Sequence, residues 1–144
     1  NNLPAYQTLQ PEYNMYQRQD YEANLQQVCL EHGLGVIPYY SLASGFLTGK
    51  YRSEADLSKS KRGQGIKKYL NNRGFRILEA LDQVSGQYNT SQASVALAWL
   101  MTRPAILAPI ASATSIDQID DLIQATELKL SNEAIVLLTE ASGY

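Results

Sequence analysis

Residues 35–51 read Gly35-Val36-Ile37-Pro38-Tyr39-Tyr40-Ser41-Leu42-Ala43-Ser44-Gly45-Phe46-Leu47-Thr48-Gly49-Lys50-Tyr51. The first part is a short apolar run with the β-branched pair Val36 and Ile37, which suits a buried strand. The run then gives way to Ser, Ala and Gly and closes on Gly49-Lys50-Tyr51. A strand is therefore expected to deliver a loop of small side chains to one end of a sheet. Small side chains let a ligand approach the backbone closely, and a cation at the far end of the loop suits an anion. The chemistry this stretch suggests is phosphate or dinucleotide binding.

Working outward, the chain reads as strand, helix, strand, long polar loop, two helices, strand, helix, helix. Residues 4–10 are a short strand candidate carrying Ala5, Tyr6 and Leu9, closed by Pro11. Asp20 is placed to N-cap a helix with Tyr21, Leu25, Val28 and Cys29 on its apolar face, and Gly33 to end it. Residues 36–40 form the second strand, and residues 52–72 are polar and irregular, with Gly63 and Gly65 inside. Phe75, Ile77, Leu78, Leu81 and Val84 mark a helix that stops near Gly86. Ser91 caps the next helix, with Val95, Leu97, Ala98, Trp99 and Met101, and Pro104 forbids its continuation. Residues 105–110 are apolar throughout, as a parallel strand covered on both faces should be. Ser115 caps a helix bearing Ile116, Ile119, Leu122 and Ile123, and Ser131 caps a last one with Ile135 and Leu138. Strands alternating with helices imply an α/β fold of βαβ units around a parallel sheet. Three strands leave two edges that need covering.

Composition narrows the function classes. The chain has 144 residues, enough for one domain with its own core, here residues 1–144. A net charge of −2 gives no global pull toward nucleic acid or anionic membrane. No apolar run approaches the roughly 20 residues that span a bilayer. The start, Asn1-Asn2-Leu3-Pro4-Ala5, does not resemble a signal peptide. The missing initial Met points to a longer parent chain. A single cysteine, Cys29, excludes an internal disulfide and fits a reducing, cytoplasmic compartment. Cys29 and Trp99 read as core, and His32, beside Gly33, as a helix-end residue. One Cys and one His cannot supply the usual metal sets. Nine of the twelve basic residues lie between Lys50 and Arg76, opposed there only by Glu54 and Asp56. They read as a solvated flexible loop or as a cationic flap clamping a diphosphate through Lys61 or Arg62. Nucleic-acid binding does not fit, because interleaved stacking aromatics are missing.

Three segments follow strands, where α/β folds place their ligands. They are Gln10-Pro11-Glu12-Tyr13-Asn14, residues 39–51, and Ala111-Ser112-Ala113-Thr114-Ser115 running into the helix with Gln118 and Asp121. In the third, backbone N–H groups at a helix start would hold a phosphate. Tyr13, Tyr39 and Tyr40 are the tyrosines placed to face a pocket.

These segments resemble, in order and spacing, the C-terminal part of the aldo-keto reductases, NADP(H)-dependent enzymes on a TIM barrel. Gln10-Pro11-Glu12-Tyr13-Asn14 is similar to the family's Gln-x-x-Tyr-Asn after strand six. Residues 39–51 are similar to its Tyr-Ser-Pro-Leu-Ala-Ser-Gly-x-Leu-Thr-Gly-Lys-Tyr after strand seven. Residues 110–121 are similar to its Ile-Pro-Gly-Ala-Ser/Thr-x-x-x-Gln-x-x-Glu after strand eight. The resemblance implies that Gln10 hydrogen-bonds the nicotinamide carboxamide and Tyr39 stacks on its ring. It implies that Tyr40, Ser41, Leu42 and Ser44 line the diphosphate and that Lys50 neutralises it. Ser112 and Thr114 would meet the adenosine phosphate, and Gln118 and Asp121 the adenine end.

The departures from the family pattern are specific. Tyr40 and Ser41 stand where Ser and Pro are usual, and Ala111-Ser112 replaces Pro-Gly. Asp121 shortens a Glu, and Leu122 occupies the place of an adenine-binding Asn. The family's catalytic Asp, Tyr, Lys and His lie on its first four strands and have no counterpart here. The resemblance therefore implies the last three βα units and C-terminal helix of an incomplete barrel. Its nicotinamide cofactor and small carbonyl substrate would belong to the complete enzyme, and this chain by itself would be inactive. The alternative is a non-catalytic α/β module that self-associates, or pairs with a missing barrel half, through open strand edges.

Overall fold

The computed structural model describes residues 3–60 and 63–144. Strand β1 (Thr8–Leu9) pairs in parallel with β2 (Gly35–Val36), in the register Thr8↔Gly35 and Leu9↔Val36. Beyond the two-residue ladder the pairing continues one contact at a time. Ile37 N–H donates to Leu9 C=O (2.9 Å), and Tyr39 N–H to Pro11 C=O (3.0 Å). On the other side Val36 bridges Ile106 in parallel, and Leu107 N–H donates to Val36 C=O (2.9 Å). Residues 105–110 thus lie where a third strand was expected, but only as a single bridge. Pro11, Pro38 and Pro109 each lack the N–H that a continuous ladder needs, so the three segments run side by side without forming long strands.

The expected cover over residues 105–110 is absent from one face: Leu107 is 65% exposed and Ile110 is exposed too. The helix α4 (Ile116–Glu127) beside them presents Ile116, Ile119 and Ile123, 49–75% exposed. At the opposite edge Tyr6, Val28 and Leu30 are also exposed. The expected strands over residues 4–10 and 36–40 shorten to Thr8–Leu9 and Gly35–Val36. Tyr6, Leu107 and Ile110 lie outside any strand, and the described residues do not bury the apolar side chains of either margin.

Between the first two strands, Asp20 is already helical (φ −62°, ψ −41°) and makes no cap. The chain continues as a π-turn over Tyr21–Leu25 before α1 (Gln26–Glu31). The wider turn rotates the following residues, so Tyr21 and Cys29 are buried while Leu25 and Val28 face outward. Gly33 ends the segment at φ +63°, a conformation only glycine adopts without penalty. The polar stretch after β2 is more ordered than expected, forming 3-10 turns at Ala43–Thr48, Glu54–Lys59 and Gly63–Tyr69.

Helices α2 (Asn72–Tyr88), α3 (Gln92–Met101), α4 and α5 (Asn132–Ala141) begin at side-chain caps. Asn71, Ser91, Ser115 and Ser131 each accept from the N–H three residues on. Helix α2 runs past Gly86 to a left-handed Asn89 (φ +48°). Helix α3 is buried along nearly its whole length between α2 and α4, and α2 also packs on α5. Trp99 is fully buried, its indole N–H donating to Thr139 Oγ1 (3.0 Å).

Beside Trp99 lies a cluster that joins the first and last segments. Arg18 pairs with Glu22 through Nε (2.9 Å) and Nη2 (3.0 Å), and its Nη1 donates to Thr139 C=O (2.7 Å) and Ser142 Oγ (2.8 Å). Its guanidinium sits 5.5 Å from the Trp99 ring centroid. Tyr13 O–H donates to Glu22 (2.7 Å), and Arg103 approaches the same carboxylate (3.7 Å). Burial pushes the Glu22 carboxyl up, but the hydrogen bonds from Arg18 and Tyr13 and the charges of Arg18 and Arg103 outweigh it. The net result lies below the usual carboxylate value. A lowered folded value adds stability above the unfolded value, about 4.3, and that stability is lost as pH falls through the folded value. Melting temperature is expected to fall below about pH 4.3, and to fall less in Glu22→Gln. Equal acid sensitivity in both proteins would exclude this cluster as the cause.

Candidate functional site

At the sheet end where β2 runs out, the backbone turns through an unusual series. Tyr40 (φ +53°), Ala43 (φ +49°), Ser44 (φ +58°) and Gly45 (φ +93°) all occupy the left-handed region. Left-handed backbone costs non-glycine residues energy and persists only where surrounding contacts impose it. At Tyr40 one such contact comes from Asn14. It is fully buried, its Nδ2 donates to Tyr40 C=O (3.0 Å), and its Oδ1 accepts from the N–H groups of Tyr16 and Gln17 (both 2.9 Å). Ala43 N–H closes the turn on Tyr40 C=O (2.7 Å). The step from Leu42 (φ −104°, ψ 18°) into left-handed Ala43 is the kind of turn in which anion-receiving concavities form, with Ala43 N–H used on Tyr40 C=O and Gly45 N–H on Leu42 C=O (2.9 Å).

This turn forms one wall of a cleft of about 710 Å³. Tyr39, Tyr40, Ser41, Leu42, Ser44 and Lys50 line it from the β2 side, and Ser112, Thr114, Gln118 and Asp121 from the α4 side. Ten of the twelve candidate residues therefore share one cavity. Gln10 is exposed at the end of β1 and lies outside the cleft wall, and Arg62 lies outside the described residues. Gly45, Thr48, Ser60, Ala93, Ile110, Ala111 and Leu122 complete the lining. Ala93 comes from α3, and only the packing of α3 against α4 brings it there, so no local signal marks it. Asn14 was quoted in a motif but given no role. Its signal is a polar residue between the apolar Tyr13 and Met15, directly after a strand.

The groups in the cleft differ in character. Tyr39 and Tyr40 expose their rings at the mouth, with centroids 5.3 Å apart. Ser41 is buried and its hydroxyl donates to Pro38 C=O (3.1 Å), which leaves its oxygen as an acceptor. Lys50 is the cation of the described lining, exposed, with Nζ 5.2 Å from the Tyr51 ring centroid. At the α4 end, Gln118 Oε1 accepts from Thr114 N–H (2.8 Å) and Oγ1 (3.3 Å). The wall is fixed to α3 by Ser94 Oγ donating to Asp121 C=O (2.8 Å). Leu122 makes this end partly apolar. Together these groups offer an aromatic face, a cation beside a concave backbone, and hydroxyl and amide groups at a helix start. That donor set suits a dinucleotide with a diphosphate centre.

Other candidates fall away. Tyr13 is buried and bound to Glu22 and Arg103, not turned into the cleft. Burial, then the Glu22 hydrogen bond, raises its phenol far above the usual value, so it holds its proton throughout the physiological range. The basic stretch is not a uniform cationic flap. Arg52 pairs with Asp82, Lys59 with Asp56 and Lys67 with Glu54. Arg73 and Arg76 donate to the carbonyls of Ala141, Ser142 and Gly143 at the end of α5. Among the described residues there is no metal-binding cluster, and no helix is long and apolar enough to cross a membrane.

Comparison with known proteins gives the site its family. The model of the aldo/keto reductase family matches residues 3–142. A probable voltage-gated potassium channel subunit beta of Arabidopsis thaliana is 32% identical over 124 residues, 83% of this chain and 38% of that protein. A putative aryl-alcohol dehydrogenase of Schizosaccharomyces pombe is 29% identical over 134 residues, 92% of this chain and 37% of that protein. The solved structure of a thermostable aldo-keto reductase, Tm1743, superposes with a TM-score of 0.62 at 22% identity. It covers 92% of this chain, which in turn spans 38% of that one. The chain thus spans well under half the length of these relatives, and it belongs to the aldo/keto reductase family.

Proposed function

We propose that this chain is the NADP(H)-binding portion of an aldo-keto reductase-like oxidoreductase. The three parallel segments are the last strands of a (β/α)8 barrel. The observation that carries this reading is the convergence of ten candidate residues on one cleft, with Lys50 beside a left-handed backbone turn. Tyr39 would support the nicotinamide, and residues 40–44 with Lys50 the diphosphate. Ser112, Thr114, Gln118 and Asp121 would hold the adenosine end. When bound, the reduced nicotinamide supplies the hydride for a carbonyl carbon. Tyr13 is no proton donor for this step, because its hydroxyl is bound to Glu22 (2.7 Å) and does not line the cleft.

Titration calorimetry tests the binding. NADP+ is expected to bind weakly, and Lys50→Ala to lose about tenfold in affinity through one charge-assisted hydrogen bond. No heat at millimolar NADP+ would remove the reading. The chain with NADPH and a reactive aldehyde is expected to show no turnover, and steady NADPH oxidation would contradict this.

The exposed apolar margins favour a second reading, in which the chain pairs with a copy of itself or with another chain through its sheet edges. Light scattering separates the two, since a stable monomer argues against edge pairing.

A further inference from the structure

We propose that Asp82, which does not line the cleft, is a positioning residue for Lys50, acting through Arg52 and Gly49. The inference rests on the anion-binding reading of the cleft. A lysine is a point charge on a flexible stem, so its use depends on where the backbone anchors it. The residue before it, Gly49, is left-handed at φ +78°. Its carbonyl accepts from Arg52 Nε (2.8 Å). Arg52 in turn forks onto Asp82 through Nη1 (2.7 Å) and Nη2 (2.8 Å).

Gln92, at the start of α3, donates to the same Asp82 carboxylate. Its Oε1 is buried, has no partner among the described residues, and faces Gly49, where a Cβ would collide with it. The turn before Lys50 is thus held by side chains of α2, α3 and the following loop. Above it, a Cβ on Gly45 would lie 3.5 Å from Lys50 Nζ, so the ammonium stands against the left-handed turn. A lone exposed ion pair contributes little, but a two-pronged pair sharing its carboxylate with a third group is the case in which geometry is fixed. Asp82 sits on a helix anchored in the core by Ile77, Leu78 and Leu81, which gives the turn a rigid base.

A double-mutant cycle on the full chain tests this, with sodium pyrophosphate and NADP+ as calorimetric probes. Asp82→Asn is expected to weaken both probes about five- to tenfold. In the Lys50→Ala background it is expected to change neither by more than about twofold, because the two residues act on one interaction. Unchanged affinity in Asp82→Asn, or the same loss with Lys50 already removed, would overturn the proposal while leaving the cleft reading intact. A wild-type chain that binds neither probe would overturn both. If circular dichroism shows that Asp82→Asn is unfolded, Arg52→Lys takes its place with the same outcomes, since it keeps the charge and loses the fork.

Discussion

Arg18→Ala is expected to lower unfolding free energy by about 3 kcal/mol, the lower end of the cost of stripping one partner from a buried ion pair, because Glu22 is partly exposed. Arg18 is 8% exposed and is bound simultaneously to Glu22, Thr139 and Ser142. Its removal leaves the Glu22 carboxylate with the neutral Tyr13 O–H (2.7 Å) and the more distant Arg103 (3.7 Å), and leaves a carbonyl near the end of α5 without its charged donor. The backbone N–H groups of residues 18 and 19 still donate to Tyr144 Oη (both 3.1 Å), so this join to the last residue survives the substitution. Urea denaturation followed by Trp99 fluorescence reads the loss directly, since the guanidinium faces that ring. Arg18→Lys is expected to recover little, as an ammonium cannot reproduce the fork. A loss under about 1 kcal/mol would mean that the cluster is solvated and that burial was the wrong argument.

Asn14→Ala is expected to cost about 2–3 kcal/mol, by leaving buried backbone groups without partners. It is also expected to abolish dinucleotide binding. Asn14 holds the N–H groups of Tyr16 and Gln17 on one side of its amide and Tyr40 C=O on the other. Without it, the Tyr40 carbonyl keeps only the local turn bond from Ala43 N–H (2.7 Å) and loses its tie to the neighbouring segment against the strain of φ +53°. Asn14→Asp separates the two roles. Its carboxylate keeps both acceptor contacts and loses the donor to Tyr40. Most of the fold stability should survive while NADP+ affinity falls, and calorimetry beside thermal melting measures the two separately. Equal NADP+ affinity in Asn14→Asp and wild type would show that Tyr40 needs no brace.

The helix starts at Ser91, Ser115 and Ser131 were legible because a cap bond spans three residues. The loop facing the cleft was legible from its run of small residues ending in Lys50. Residues 105–110 were apolar enough to be read as a strand, yet they pair through one bridge, because prolines interrupt the donors. The nine basic residues looked alike in sequence. Among the described ones, Arg52 depends on Asp82, and Arg73 and Arg76 on the end of α5, which no local pattern couples to them. Likewise, Asp20 has the right side chain for a cap but sits inside a helix that starts earlier.

By itself, the sequence determined where the helices capped by Ser91, Ser115 and Ser131 begin and which residue types meet at the cleft. These follow from hydrogen bonds and steric preferences that act over a few neighbouring residues. Only the tertiary structure decided that Asn14 braces Tyr40, 26 residues away, and that Arg18 holds Thr139, 121 residues away. Contacts at such separation depend on how helices and strands pack, and packing is a property of all the surfaces together.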